Sequence, residues 1–389
     1  MDFNKKQTLV VITSPALAEY LQAELEELKF PIDQVKETSI HTKGSLNDAI
    51  TLNLNLRCGL YVHYLLGQFK CNRPDDLYKK IKDIPWEDVI TAEEYISIVS
   101  RVETESVDNT MYPSLVVKDA IADRMIEKTG KRPDSGPDRE NVVVNLYWNN
   151  DDCWVYLNTS GKKLSDRNYR KMPYKAPLQE CLAAAILKAT GYNGSQTLVL
   201  PMCGSGTLAI EAALIGQGRA AGLMRDNYCF KHVKGFDDTY YKNMRLQLKN
   251  NTKKAPIKPI IATDIAPQAI EAAKKNAQTA GVEHLIEFSV CDFAKTPIPE
   301  SKGVILLNPE YGQRMGEITE LEETYKRIGD FFKKECAGYK GYIFTGNPDL
   351  AKKIGLRTFR RIQFFNAKIE CRLLGYELYE GTRKDKSSK

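Results

Sequence analysis

The sequence predicts an α/β protein whose larger part is a doubly wound, mostly parallel sheet, preceded by smaller α+β units. Three observations carry this reading. From residue 176 onward short apolar runs alternate with helical periodicities. The first of those runs ends in a glycine turn, Pro201-Met202-Cys203-Gly204-Ser205-Gly206-Thr207, that opens directly into a helix. The last two runs, Arg361 to Asn366 and Glu370 to Tyr379, have no helix between them and read as an antiparallel hairpin closing the sheet edge.

Taken in chain order, Thr8 to Thr13 reads as a strand, and Ser14-Pro15 supplies an N-cap with proline at the first helical position. Leu17, Leu21, Leu25 and Leu28 then fall on one helical face up to Lys29. Thr51 to Arg57 alternates Leu52, Leu54 and Leu56 with polar residues, the pattern of a half-buried strand. A second cycle follows: strand Tyr95 to Val102, helix Pro113 to Thr129, strands Val142 to Tyr147 and Trp154 to Asn158. Two small α+β units in series are implied, with boundaries at 1–60 and 61–165, then a basic linker at 166–176. The α/β domain runs over 177–382, and 383–389 is a basic tail. Inside that domain a helix starts near Pro177, and strand Thr197 to Leu200 leads through the glycine turn to helix Thr207 to Ile215. After a polar insertion from Gly218 to Lys258 come strand Pro259 to Thr263, helix Gln268 to Ala280, strands Leu285 to Val290 and Gly303 to Leu307, helix Leu321 to Lys333 and strand Gly341 to Thr345.

Composition excludes several classes. The chain has 389 residues, 42% hydrophobic and 27% charged, as a folded multidomain protein does. No apolar run approaches the roughly 20 residues a bilayer span needs, and the N-terminus shows no secretory signal, so a cytoplasmic protein is expected. The nine cysteines are scattered without a C-x-x-C pair, and the four histidines lack ligand spacing, so neither a disulfide framework nor a protein metal site is expected. The net charge of +6 permits a polyanionic partner without requiring one. Charge concentrates at residues 161–176, where Lys162, Lys163, Arg167, Arg170, Lys171 and Lys175 are interleaved with Tyr169 and Tyr174. Such a segment can neutralise phosphates and stack on unpaired bases, or simply serve as a solvated linker.

Four features suit chemistry at the carboxyl ends of the strands. The glycine turn lets a backbone approach a ligand closely. Gly204, Gly206 and Ala209 also fit the loose dinucleotide pattern G-x-G-x-x-A, but that reading needs an acid about 20 residues on, and the strand-terminal acid Asp264 comes much later. Asp264 and Asp292 each end a strand, where one can meet a ribose diol and the other an adenine amino group, or where each can be a helix cap. In Asn308-Pro309-Glu310-Tyr311-Gly312 the proline holds Asn308 extended, so that its side chain and nearby carbonyls can grip an amino group beside the flat Tyr311 ring.

The ordered series Pro201-Met202-Cys203-Gly204-Ser205-Gly206-Thr207, Asp264, Asp292 and Asn308-Pro309-x-Tyr311-Gly312 resembles the class I S-adenosylmethionine-dependent methyltransferases that modify exocyclic amino groups of nucleobases. More narrowly, Ala176-Pro177-Leu178, Asp237-Asp238 and Phe365 to Leu373 resemble the THUMP-domain guanine-N2 methyltransferases of large-subunit ribosomal RNA. Leu115 to Ile121, Leu157 to Gly161 and Arg167 to Arg170 resemble the THUMP module, preceded by a ferredoxin-like unit. The resemblance implies a Rossmann-like catalytic domain, S-adenosyl-L-methionine held by Pro201, Cys203, Gly204, Gly206, Thr207, Asp264 and Asp292, and a flipped base gripped by Asn308, Pro309 and Tyr311. It implies an RNA partner, ribosomal RNA or an assembling ribosomal particle, reached through the N-terminal units and Lys162, Lys163, Arg167, Tyr169, Arg170 and Lys171. Two residues depart from the family pattern: Leu200 stands where an aspartate is usual, and Glu310 where a second proline is. A transfer-RNA guanine or adenine-N6 target, and a non-catalytic RNA-binding protein on the same fold, are the competing readings.

Overall fold

The computed structural model describes residues 1–107, 109, 111–253, 257–312 and 315–379, with the backbone alone for 315–320. The expected basic tail at 383–389 and the end of the domain expected at 382 lie outside the described residues. In chain order the elements are β1 (Gln7–Thr13), α1 (Ala18–Glu27), β2 (Gln34–Lys36), β3 (Ser39–Gly44), α2 (Leu46–Asn55), β4 (Gly59–Lys70), α3 (Pro74–Asp83), β5 (Ile96–Glu103), α4 (Tyr112–Thr129), β6 (Val142–Asn149) and β7 (Asp152–Asn158). They continue with α5 (Glu180–Ala189), β8 (Thr197–Pro201), α6 (Thr207–Gly216), α7 (Asp238–Asn250), β9 (Ile260–Asp264), α8 (Pro267–Ala280), β10 (Ile286–Val290) and β11 (Gly303–Leu307). The last are α9 (Met315–Lys334), β12 (Lys340–Thr345), α10 (Pro348–Lys352), β13 (Arg360–Asn366) and β14 (Ile369–Glu377). No helix among the described residues is long and apolar enough to cross a membrane.

The chain forms two compact units. The first comprises residues 1–14, 18–165 and 220–250, around a single sheet of order β2-β3-β1-β4-β7-β6-β5. Strand β4 is the reason the two expected α+β units are one: it pairs with β1 along one edge (Leu9 opposite Tyr64) and with β7 along the other (His63 opposite Asn158). Only β5 and β6 in this sheet run parallel, and α4 makes the crossover between them.

Two local expectations fail here. Thr51 to Arg57 is not a strand but the second half of α2 and its exit. Ser45 and Asp48 close a capping box, Ser45 Oγ accepting from the Asp48 amide at 3.2 Å while Asp48 Oδ2 accepts from the Ser45 amide at 2.8 Å. Helix α2 buries Leu46, Ala49, Ile50, Leu52, Asn53 and Leu54, so its broad buried surface contains a period-two run of leucines by coincidence. Helix α1 begins at Ala18 rather than after Ser14, because Ala16 sits in a left-handed turn at φ 64°.

The polar insertion, at residues 220–250, packs with the first unit. Arg225 donates to the carbonyls of Ser160 (3.1 Å), Lys162 (3.2 Å) and Lys163 (2.9 Å), and its guanidinium lies 4.6 Å from the Tyr228 ring centroid. The Phe230 amide donates to the Thr159 carbonyl at 3.0 Å, and Tyr240 shares a 2.8 Å hydroxyl contact with Thr51.

The second unit, residues 15–17, 166–219 and 251 onward, holds a sheet of order β10-β9-β8-β11-β12-β14-β13. The pairs from β10 to β12 are parallel, and the β13–β14 hairpin joins β12 antiparallel at the edge, as the sequence predicts. Ile305 and Leu307 of β11, Ile343 of β12 and Tyr376 of β14 share a buried cluster with Tyr325, Ile328, Phe331 and Phe332 of α9. From β8 the chain steps outward to β9 and β10 and then returns to place β11 on the other side, so the order reverses between β8 and β11. Open α/β sheets bind ligands at such a reversal, beyond the carboxyl ends of the strands.

His63, buried in β4 between Tyr61 and Tyr156, has its imidazole pushed down to about 4 by burial. The native state therefore holds it neutral, while the unfolded chain protonates it below about pH 6.5. Its contribution is fully present above pH 6.5 and is lost as pH falls towards 4, amounting to about 3 kcal/mol at most. Urea unfolding at pH 7 and pH 4.5 should show a loss of stability in the wild type that His63→Phe reduces.

Candidate functional site

The turn after β8 is built from alternating left-handed residues: Met202 at φ 57°, Gly204 at φ 54° and Gly206 at φ 83°. Backbone pairs set its path, the Cys203 amide donating to the Thr263 carbonyl at 2.9 Å and the Gly206 amide to the Cys203 carbonyl at 3.0 Å. A side chain at Gly206 would come 2.9 Å from the Ala273 Cβ, so this glycine is what lets α8 lie against the turn. A Cβ at Gly204 would meet nothing within 4 Å. The turn is therefore open where a ligand would lie, at the start of α6, where backbone N–H groups have no helical partner.

Asp264 ends β9 beside this opening. Its Oδ2 accepts from the Gly204 amide at 3.0 Å and its Oδ1 from the Ala266 amide at 3.0 Å. Each carboxylate oxygen retains acceptor capacity, so the same group can still take ribose hydroxyls. Ile265, the next residue, is 68% exposed, an apolar side chain standing in solvent at a strand tip. Asp292 follows β10, and its Oδ1 accepts from the Ala294 amide at 2.9 Å and from Arg327 of α9 at 2.7 Å. Burial pushes the Asp292 carboxyl upward, but the Arg327 hydrogen bond and the Ala294 amide outweigh it and hold the group below the usual aspartate value.

Asn308 and Pro309 follow β11 directly. Pro309 is buried, and Asn308 Oδ1 is a buried acceptor with no hydrogen-bond partner among the described residues. A buried amide oxygen left unsatisfied costs about 1–3 kcal/mol, and here it lies beside Pro309 at the end of β11. Tyr311 is held from three sides: its hydroxyl accepts from Asn366 Nδ2 at 2.9 Å, and its carbonyl accepts from Asn347 Nδ2 at 3.3 Å. Its ring lies against Gly346, where a Cβ would come 3.0 Å from Tyr311 Cε2. Burial raises the Tyr311 phenol above its usual range, keeping the hydroxyl protonated. Asn347, Gly346 and Asn366 escaped the sequence reading as site residues, because nothing in their spacing marks a tyrosine brace contributed from the segment after β12 and the end of β13.

The basic segment divides in two. Arg167 and Tyr169, expected at an RNA surface, are each 1% exposed. Arg167 pairs with the fully buried Glu211 of α6 at 3.3 Å, and the Tyr169 hydroxyl donates to the same carboxylate at 3.2 Å. Arg170 is likewise turned inward, donating to Ser205 Oγ (3.2 Å), Thr207 Oγ1 (2.9 Å), the Leu178 carbonyl (2.9 Å) and Glu180 Oε1 (2.7 Å). These three residues clasp the segment onto α6 and the glycine turn. Lys162, Lys163 and Lys171 are exposed, Lys162 in an ion pair with Glu140. No cluster of three or more His, Cys, Asp or Glu side chains that could hold a metal ion occurs among the described residues.

Comparison with known proteins adds family membership to this geometry. Residues 167–374 match the family described as RMKL-like, methyltransferase domain, and residues 71–158 match the THUMP domain. A "Ribosomal RNA large subunit methyltransferase K/L" of Syntrophotalea carbinolica is 35% identical over 350 residues, covering 87% of this chain and 49% of that protein. The chain thus spans about half the length of the K/L relatives it matches. A Synechocystis protein named "Putative RNA methyltransferase slr0064" is 31% identical over 85% of this chain and 87% of its own length. The solved structure of "SMU.472, a putative methyltransferase complexed with SAH" superposes with a TM-score of 0.87 at 23% identity, over 98% of this chain and all of that one, a likeness of fold.

The inward clasp has a measurable consequence. Arg167→Met leaves the Glu211 charge buried without its guanidinium and should cost about 3–5 kcal/mol in urea unfolding. Lys171→Ala, at an exposed position, should change stability by no more than about 0.5 kcal/mol in the same measurement.

Proposed function

The chain belongs to the RMKL-like methyltransferase family and carries a THUMP domain, and from that footing we propose that it methylates the exocyclic N2 of a guanine in large-subunit ribosomal RNA, with S-adenosyl-L-methionine as cofactor. The observation that carries the reading is the buried, unpartnered Asn308 Oδ1 next to Pro309 and the braced Tyr311 ring. The ribosomal substrate is supported by the names of the K/L relatives, and the guanine amino group by the Asn-Pro-x-Tyr resemblance.

The cofactor, when bound, supplies an activated methyl group, so the protein's work is to bind, orient and exclude water. The open face of Gly204, the turn Pro201 to Thr207 with Cys203 and Gly206, and the Asp264 carboxylate would hold its methionine and ribose ends. Ile265 would cover the adenine face and Asp292 would accept from its amino group. On the target side, Asn308 Oδ1 and the Pro309 carbonyl would accept the two amino hydrogens. That arrangement favours the nitrogen as it loses conjugation with the ring and turns positive. Extracting a base from its stack costs a few kcal/mol, part of which stacking on Tyr311 returns. Lys163 and Lys171, both exposed, would each contact phosphates.

Tritium transfer from labelled S-adenosylmethionine to RNA lacking the modification, followed by nucleoside identification, tests the proposal. Label is expected in N2-methylguanosine from large-subunit ribosomal RNA, with Asn308→Ala lowering the rate by about 10²–10³ while cofactor binding persists. Label in another nucleoside would overturn the target, and no transfer by folded protein that binds RNA would make it a binding protein.

A further inference from the structure

Within the second unit, the segment from Arg170 to Lys175 is tied at both ends to the site. At one end Arg170 bonds Ser205 and Thr207 of the glycine turn, and Met172 exchanges two 2.9 Å hydrogen bonds with Asn276 of α8, whose Nδ2 also donates to the Ser205 carbonyl at 3.2 Å. At the other end Lys175 Nζ donates to Glu310 Oε1 at 2.7 Å, and Glu310 directly follows Pro309. One end is therefore anchored after β8 and the other after β11, the two adjacent strands between which the strand order reverses.

The two anchors differ in kind. Arg170 and Glu180 are largely buried, and Asn276 is fully buried. Lys175 and Glu310 are 66% and 69% exposed, and an ion pair in that setting adds little stability. Lys175 moreover sits at φ 45°, a left-handed conformation that a lysine adopts only under constraint. A screened pair holding a strained backbone is a poor stabiliser and an easily opened one. The Glu310 hydrogen bond and charge hold the Lys175 ammonium above its ordinary value.

We propose that Lys175 and Glu310 form a latch that closes residues 171–177 over the cofactor crevice, both acting as positioning residues. The inference rests on the methyltransferase reading above. On this proposal a base entering the loop at Asn308 to Tyr311 displaces Glu310 and frees Lys175, so that occupancy of the target loop and retention of the cofactor are coupled through one ion pair. In the closed state the latch slows cofactor departure.

The test is S-adenosylhomocysteine binding to the full chain by calorimetry and stopped flow. Wild type is compared with Lys175→Met, Glu310→Gln and the charge swap Lys175→Glu/Glu310→Lys. Each single substitution is expected to weaken binding about three- to fivefold, mainly through a faster off-rate, and the swap to recover most of it. In about 1 M salt the difference between wild type and single variants should shrink. Binding unchanged in both single variants would overturn the latch, as would a swap that recovers nothing. Weakening by Lys175→Met alone would show instead that Lys175 touches the ligand itself, which also overturns it. A wild-type chain that binds no S-adenosylhomocysteine would remove the methyltransferase reading, a different failure from a wild type that binds as tightly as its variants.

Discussion

The buried pair of Arg167 and Glu211 is the interaction on which the site most depends. The two side chains are 1% and 0% exposed, and burial works against the Arg167 charge until Glu211 outweighs it. Such a pair contributes little net stability compared with apolar packing, yet losing one partner is costly, so it specifies a single arrangement. That arrangement sets residues 167–170 against α6, and everything the segment does next follows: Arg170 reaches the glycine turn, Met172 reaches α8, and Lys175 reaches the loop after β11. A stretch that looks on paper like a flexible linker is thus a bracket across the carboxyl ends of the sheet.

Two further constraints shape that end of the sheet. The turn after β8 takes left-handed conformations at Met202, Gly204 and Gly206, which only a path pinned by backbone hydrogen bonds to β9 can sustain. The loop after β11 leaves the Asn308 carboxamide oxygen buried and unanswered while spending three residues, Gly346, Asn347 and Asn366, on fixing Tyr311.

The first unit shows how far local patterns mislead. The leucines at 52, 54 and 56 suggested a strand, but helix α2 starts from a capping box at Ser45 and is buried over most of its surface, so period two and period 3.6 cannot be told apart there. Strand β4 went unread because its long buried run lacks alternation, and with it went the continuity of the seven-stranded sheet. The 220–250 insertion is placed by Arg225 reaching three carbonyls at 160–163, contacts that polar composition does not announce.

The order of strands and helices in the second unit, apart from the short α10, can be read from the chain alone, as can the glycine turn, the two aspartates ending β9 and following β10 and the Asn308 to Tyr311 loop. These are legible because each depends on neighbours in the chain: a proline restricting the residue before it, glycines adopting left-handed turns, and apolar periodicity over five to twenty residues. Which way the charged and aromatic side chains point is settled only on folding. Arg167, Tyr169 and Arg170 turn inward, while Lys163 and Lys171 stay in water, because a buried carboxylate on α6, 42–44 residues further along the chain, awaits the first two. A cation's role is set by the field and burial around it, and those come from residues that meet it only when the chain has folded.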